Sequence, residues 1–234
     1  MKAWLYTPSE ATRSPAPALL FLHAGWRLIP SQQPELMPFI DAGYVIMWPT
    51  HRGEHGNPGY QEMFLGEVED AAAAARWLAA HPAADPDRVY ALGWSGGGGI
   101  ATLLSLWEDV PLRHTATSGG LFGTEWLRRW ARTPRSDGSA GVPFDTTRVE
   151  EFEIRVLPGN FHWMKRPHYA YIETQSERWI GSIAAANEAN MKGDTLIQVI
   201  MVPGDHFSAF PEVVRRYLAL IEDDVRSEQP ELKK

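Results

Sequence analysis

Ser95, His206 and a glutamate lying between them in the chain are the residues whose types and spacing suit nucleophilic acyl chemistry. Ser95 is the centre of Gly93-Trp94-Ser95-Gly96-Gly97, a G-x-S-x-G pentapeptide. A serine at the tip of a very tight turn is forced into a strained backbone, and side chains two residues to either side would collide there. Glycines at 93 and 97 remove that collision. The hydroxyl is thereby pushed out of the turn, and the amide of Gly96, at the start of the following helix, faces the same place with partial positive charge. An oxyanion could be held there.

A serine hydroxyl is a weak nucleophile until a base takes its proton, and the base needs a third group to fix its tautomer. Of eight histidines, His206 is the candidate base, because Pro203-Gly204-Asp205-His206-Phe207 follows a strong strand pattern and precedes the last helix. His81, His114, His162 and His168 fall at a helix end, before strands or in irregular sequence, and read as structural. Asp205 is adjacent to His206, and neighbouring side chains usually diverge. The orienting acid is therefore sought in Glu173-Thr174-Gln175-Ser176-Glu177. Glu177 is favoured, because it lies far enough beyond its strand to turn back toward His206. Glu173 at the strand end is the alternative, followed by Asp145. Serine, acid, then histidine is one of the chain orders known for such triads.

These residues need a frame that brings chain positions 95, 177 and 206 to one edge. Arg88 to Leu92 is a short apolar run that suits a buried strand, and Ile100, Leu103, Leu104 and Trp107 repeat on one helical face. Ala18 to Leu22 is a further strand of the kind buried on both faces of a parallel sheet, Tyr44 to Trp48 is another buried strand, Tyr169 to Ile172 and Leu196 to Val202 read as strands, and Ala3 to Tyr6 and Thr115 to Ser118 are shorter ones. Helices are expected at 35–42, 67–80, from Ser176 to Met191, and after Pro211. Asp85-Pro86-Asp87 reads as a turn, 119–167 as an irregular, cap-like insert, and 227–234 as a polar tail after a single domain of residues 1–226. Strands alternating with helices imply an α/β fold with a mostly parallel sheet covered on both faces. Ligand chemistry then belongs at the carboxyl ends of the strands, where Gly25, Ser95, Glu177 and His206 all fall.

Composition narrows the function. The net charge of -7 without a basic stripe argues against nucleic acid as a partner, and the absence of cysteine removes disulfides, thiol nucleophiles and zinc-thiolate sites. The N-terminus lacks the apolar core of a signal peptide and no stretch approaches the length of a membrane span, so a cytoplasmic protein without a membrane partner is expected. His51-Arg52-Gly53-Glu54-His55 is not an H-E-x-x-H helix, so no metal is assigned to it, and Arg52 is expected to pair with Asp70.

With LLFLHAGW, GYVIMWPTHRGEHGNPGYQEMFLGEVEDAAAA, DPDRVYALGWSGGGG and VPGDHF on the page, the chain resembles the α/β hydrolases of the prolyl oligopeptidase-like and dienelactone hydrolase-like branch from Leu19 to Phe207. The resemblance implies the α/β-hydrolase fold, no cofactor, and an oxyanion hole with Gly96 as first donor and Gly25 as second, Trp26 being the rival for the second. This chain reads His23-Ala24-Gly25 where the family usually has HGG, and a glutamate where it usually has Asp. Peptidases of this branch often carry a β-propeller that filters substrates by size. Without one, hydrolysis of a small carboxylic ester through an acyl-enzyme is expected, ahead of cleavage of short peptides or of ligand binding without catalysis. Trp26, Trp94, Phe122 and Trp126 are the candidate substrate-binding residues. Trp126 and Trp130 lie four apart, on one helical face able to cover the site.

Overall fold

The computed structural model describes residues 1–25, 35–132, 142–176, 179–193 and 196–228. Among them a seven-stranded sheet forms in the order β1-β3-β2-β4-β5-β6-β7. Its strands are β1 (Ala3–Tyr6), β2 (Ala16–Leu22), β3 (Val45–Pro49), β4 (Ala84–Trp94), β5 (Thr115–Ser118), β6 (His168–Glu173) and β7 (Ile197–Val202). All pair in parallel except β1, which runs antiparallel along β3 at the edge. The helices are α1 (Met37–Asp41), α2 (Gly66–Ala79), α3 (Gly96–Leu104), α4 (Thr124–Arg132), α5 (Glu150–Glu153), α6 (Trp179–Lys192) and α7 (Phe210–Glu228).

The two faces of the sheet follow from the alternation of side chains along a strand. On β2, Leu19 and Phe21 face one side, where Phe210, Val213, Val214 and Tyr217 of α7 cover them. Leu20 and Leu22 face the other, against Ala71, Ala75 and Leu78 of α2 and Ile100 of α3. A strand covered on both faces must be apolar throughout, which is why Ala18 to Leu22 is a continuous run. The small side chains of α2 let it lie close to the sheet. Next to the far edge, Ala185, Ala186 and Ala189 of α6 pack on Ala170 and Ile172 of β6.

The α/β fold with a mostly parallel sheet and helices on both faces is the one expected. Three local expectations change. Asp85-Pro86-Asp87 belongs to β4, because Ala84 pairs with Ala16 across a register shift and extends the strand backwards. Residues 119–167 contain α4 and α5, and α4 carries Trp126 and Trp130. Ser227 and Glu228 close α7 and do not begin a tail, while 229–234 lie outside the described residues.

Candidate active site

Ser95 stands alone between the last residue of β4 and the first of α3, with φ 54° and ψ -115°. Such a conformation costs a non-glycine residue on the order of 1–3 kcal/mol, so its surroundings must over-determine it. They do so through the main chain. Ser95 N–H donates to the carbonyl of Ser118 at the end of β5 (2.9 Å), and Gly97 N–H donates to that of His23 beyond β2 (3.0 Å). A Cβ on Gly93 would lie 2.1 Å from the Gly97 carbonyl oxygen, and one on Gly97 would lie 2.1 Å from that of Leu22. Both glycines of the pentapeptide are therefore required by backbone contact.

Gly25, at φ 71°, follows β2. A Cβ on Gly96 would lie 2.9 Å from the Gly25 carbonyl oxygen and 3.5 Å from its nitrogen, so these two segments of main chain meet next to Ser95. Trp26, the rival second donor and a candidate for the binding wall, lies outside the described residues.

His206 sits in the turn between β7 and α7. Asp205 builds that turn: its Oδ1 accepts from the amides of Phe207 (2.9 Å) and Ser208 (2.8 Å) and from the Ser208 hydroxyl (2.8 Å). Those hydrogen bonds hold the Asp205 carboxyl below its ordinary range. His206 Nδ1 is 2.9 Å from Oε1 of Glu173. The Glu173 side chain is 2% exposed and that of His206 is 12% exposed, so the pair is shielded but the imidazole still reaches solvent.

The carboxylate that meets His206 is thus Glu173, the second choice from sequence. Glu177, the first choice, lies outside the described residues. The reason is register. Glu173 ends β6 directly beside Val202, which ends β7, so it is already level with the loop that carries His206. No turn back is needed.

Gly119 completes this corner and was not singled out from sequence. It follows β5 at φ 58°, and a Cβ there would lie 2.1 Å from Glu173 Oε1 and 2.7 Å from His206 Nδ1. The signal was present in Ser118-Gly119-Gly120 directly after a strand end. What it signified depends on two residues far away in the chain.

A cavity of about 240 Å³ opens on Ser95, with Gly25 and Gly96 beside the serine and Met63, Phe64, Phe122, Trp126 and Trp130 as walls. Phe122 and Trp126 are stacked at 4.3 Å, and Trp130 continues the stack at 6.2 Å. Of the expected substrate-binding residues, Phe122 and Trp126 line this cavity and Trp94 does not. Its indole N–H donates to the His206 carbonyl (3.1 Å) and its ring stacks on Phe210 at 4.4 Å, under the histidine loop and away from the cavity. Strand alternation could have told this, since Tyr90, Leu92 and Trp94 share the α7 face of β4. Met63 and Phe64 had no sequence signal of a binding role.

The loop after β3 is braced through Arg52 and Glu54. Arg52 takes both oxygens of Asp70 (3.1 Å each) together with Glu62 (2.7 Å), as the sequence suggested for Asp70. Glu54 accepts from His51 N–H (2.7 Å) and pairs with His23 Nε2 (3.2 Å). Burial, with His23 adding to it, pushes His51 down to about 4, so this ring is neutral. Among the described residues no three His, Asp or Glu side chains are grouped to hold a metal ion, and no helix is long and apolar enough to cross a membrane.

Known proteins share this frame. The family described as X-Pro dipeptidyl-peptidase (S15 family) matches residues 1–136, which include Ser95 and stop short of Glu173 and His206. The chain is 31% identical over 88 residues to an uncharacterized peptidase, YtmA, of Bacillus subtilis (strain 168), covering 37% of this chain and 34% of that protein. It superposes on acylaminoacyl peptidase of Pyrococcus horikoshii with a TM-score of 0.69 at 16% identity, over 94% of this chain and 38% of that one. It also superposes on esterase B from Lactobacillus rhamnosis, inhibited by a tributyrin phosphonate, with a TM-score of 0.62 at 16% identity, over 97% of this chain and 83% of that one. The chain thus spans about a third of the curated relative and 38% of the acylaminoacyl peptidase. At such identities the solved structures share its fold. Because the family match extends over more than half of its length, the chain belongs to the X-Pro dipeptidyl-peptidase (S15) family.

Proposed function

We propose that the protein hydrolyses carboxylic esters bearing a small, uncharged, apolar group, through an acyl-enzyme on Ser95. With Glu173 accepting from Nδ1–H, His206 keeps Nε2 free of its proton and acts there as general base. Ser95 Oγ attacks the ester carbonyl while its proton passes to Nε2, and the Gly96 and Gly25 amides bind the oxyanion that forms. Collapse expels the alcohol, which takes the proton back from His206. Water, activated by the same nitrogen, then releases the acid and regenerates the serine.

The observation that carries this reading is the cavity at Ser95, whose walls among the described residues are aromatic and apolar side chains without a charge. Such a pocket takes an uncharged group and offers no partner to a free α-amino group. Cleavage of short peptides is the second reading, and the family match favours it. An N-blocked peptide is as neutral as an acyl ester and fits the same walls.

Two measurements test the proposal. A fluorophosphonate probe should label Ser95 stoichiometrically in wild type and fail in Ser95→Ala and His206→Ala. Absence of label from folded wild type would sink the acyl-enzyme mechanism. Steady-state rates on p-nitrophenyl butyrate and on an N-acetyl-aminoacyl p-nitroanilide then separate the readings. A higher kcat/KM on the anilide would replace the ester reading with the peptide one.

A further inference from the structure

The wall that Met63 and Phe64 give the cavity rests on a backbone these residues do not adopt unaided. Both have positive φ, 60° and 67°, side by side and without a glycine. Left-handed backbone is disfavoured for residues with a side chain, so two in succession require outside restraint. The restraint is local and specific. Oε1 of Glu67, in the first turn of α2, accepts from the amides of Glu62 (2.7 Å) and Met63 (3.3 Å). Arg52 holds the Glu62 carboxylate from one side (2.7 Å), and Arg155 donates to the Glu62 carbonyl from the other (3.4 Å).

The corner so formed is buried. Met63 and Phe64 are each 2% exposed, and Glu67 has no exposed surface. The Phe64 ring lies 5.7 Å from Phe122, and both rings crowd Gly99, where a Cβ would lie 2.7 Å from Phe64. Phe64 therefore cannot shift toward α3, and the corner fixes where Met63 and Phe64 stand in the cavity lining. Burial raises the Glu67 carboxyl above its ordinary value while the amides of Glu62 and Met63 pull it down. What the corner uses is an oxygen acceptor at a fixed reach.

We propose that Glu67 is a positioning residue for substrate selection: by holding Met63 and Phe64 in left-handed backbone against the cavity, it sets the size of the acyl group that Ser95 can accept. The inference rests on the acyl-enzyme reading above. Glu67 itself touches neither substrate nor the reacting atoms.

The test compares Glu67→Gln, which keeps a carbonyl oxygen at the same reach, with Glu67→Asp, which keeps the charge but withdraws it by one methylene. Each is assayed on p-nitrophenyl acetate and p-nitrophenyl hexanoate, with thermal melting and fluorophosphonate labelling of Ser95 as controls. Glu67→Gln should follow wild type on both esters. Glu67→Asp should lose about tenfold in kcat/KM on hexanoate, through KM, the scale of a misfit in an apolar pocket. Its kcat on acetate and its labelling should stay unchanged.

An unchanged acetate-to-hexanoate ratio in Glu67→Asp would overturn the proposal. So would a Glu67→Gln variant impaired while Glu67→Asp is not, because charge and not reach would then matter. Failure of both variants to fold would also overturn it, leaving Glu67 a purely structural role. Loss of labelling in wild type would instead remove the acyl-enzyme reading, so the two failures are distinguishable.

Discussion

Gly119 lies so close under Glu173 that a single methyl group on its Cα would stand 2.1 Å from Oε1, inside the hydrogen bond that joins this carboxylate to His206. Gly119→Ala must therefore push Glu173 off the imidazole, and it also forces a side chain onto a backbone at φ 58°. The variant should lose at least about a hundredfold in kcat, a part of the roughly 10⁴-fold loss known where a triad histidine loses its orienting acid. It should also lose on the order of 1–2 kcal/mol of stability. Esterase rates with chemical denaturation check both. Wild-type turnover in a folded Gly119→Ala protein would mean that the Glu173 contact is dispensable.

Glu173→Gln separates the two candidate acids without changing shape. An amide can offer His206 the wrong tautomer, so kcat should fall by about 10³ to 10⁴ with little effect on KM. Glu177→Gln should leave kcat near wild type. The reverse outcome, with Glu177→Gln inactive and Glu173→Gln active, would transfer the orienting role to Glu177.

Trp126 stacks on Phe122 and walls the cavity. Trp126→Ala removes that stack and widens the pocket, which should raise KM for an ester whose acyl group fills it by about tenfold, the scale of lost contacts in an apolar site. The acetate ester should be affected less. Equal effects on both esters would place the bound acyl group elsewhere.

Stability should fall on mild acidification. Burial depresses His51 to about 4, with His23 adding to it; His114 to about 3, with Arg113 adding; and His168 to about 3, with His114 adding. Unfolded, each titrates near the free-histidine value of about 6.5. Above that pH both states are neutral and the three have no effect. Below it the unfolded chain binds protons that the folded protein refuses, so stability is lost progressively down to pH 4 for His51 and pH 3 for the other two. Each histidine multiplies the unfolding constant by up to about tenfold per pH unit in that window. Urea midpoints measured at pH 7.5, 6 and 5 should decrease in that order, and constant midpoints would show that these rings charge in place.

The frame and the nucleophile are legible in the residues because both rest on short-range physics. A strand buried on two faces must be apolar throughout, and Ala18 to Leu22 and Tyr44 to Trp48 are. The tip of a tight turn excludes side chains two residues away, and glycines stand at 93 and 97 for that reason. His206 is legible because it stands in the short turn between the last strong strand and the last helix.

What the sequence could not determine is which distant groups meet. Glu173 and Glu177 are equivalent by composition and chain order, and only the level ending of β6 and β7 puts Glu173 at the imidazole. The fate of Trp94, 112 residues before the carbonyl it donates to, depends on how α7 lies across β4. The Met63–Phe64 wall depends on a carboxylate in α2 overriding the local preference of two residues for right-handed backbone. Local sterics are written in each short stretch of chain; register between strands and the docking of helices arise from the whole core, and only the tertiary structure decides them.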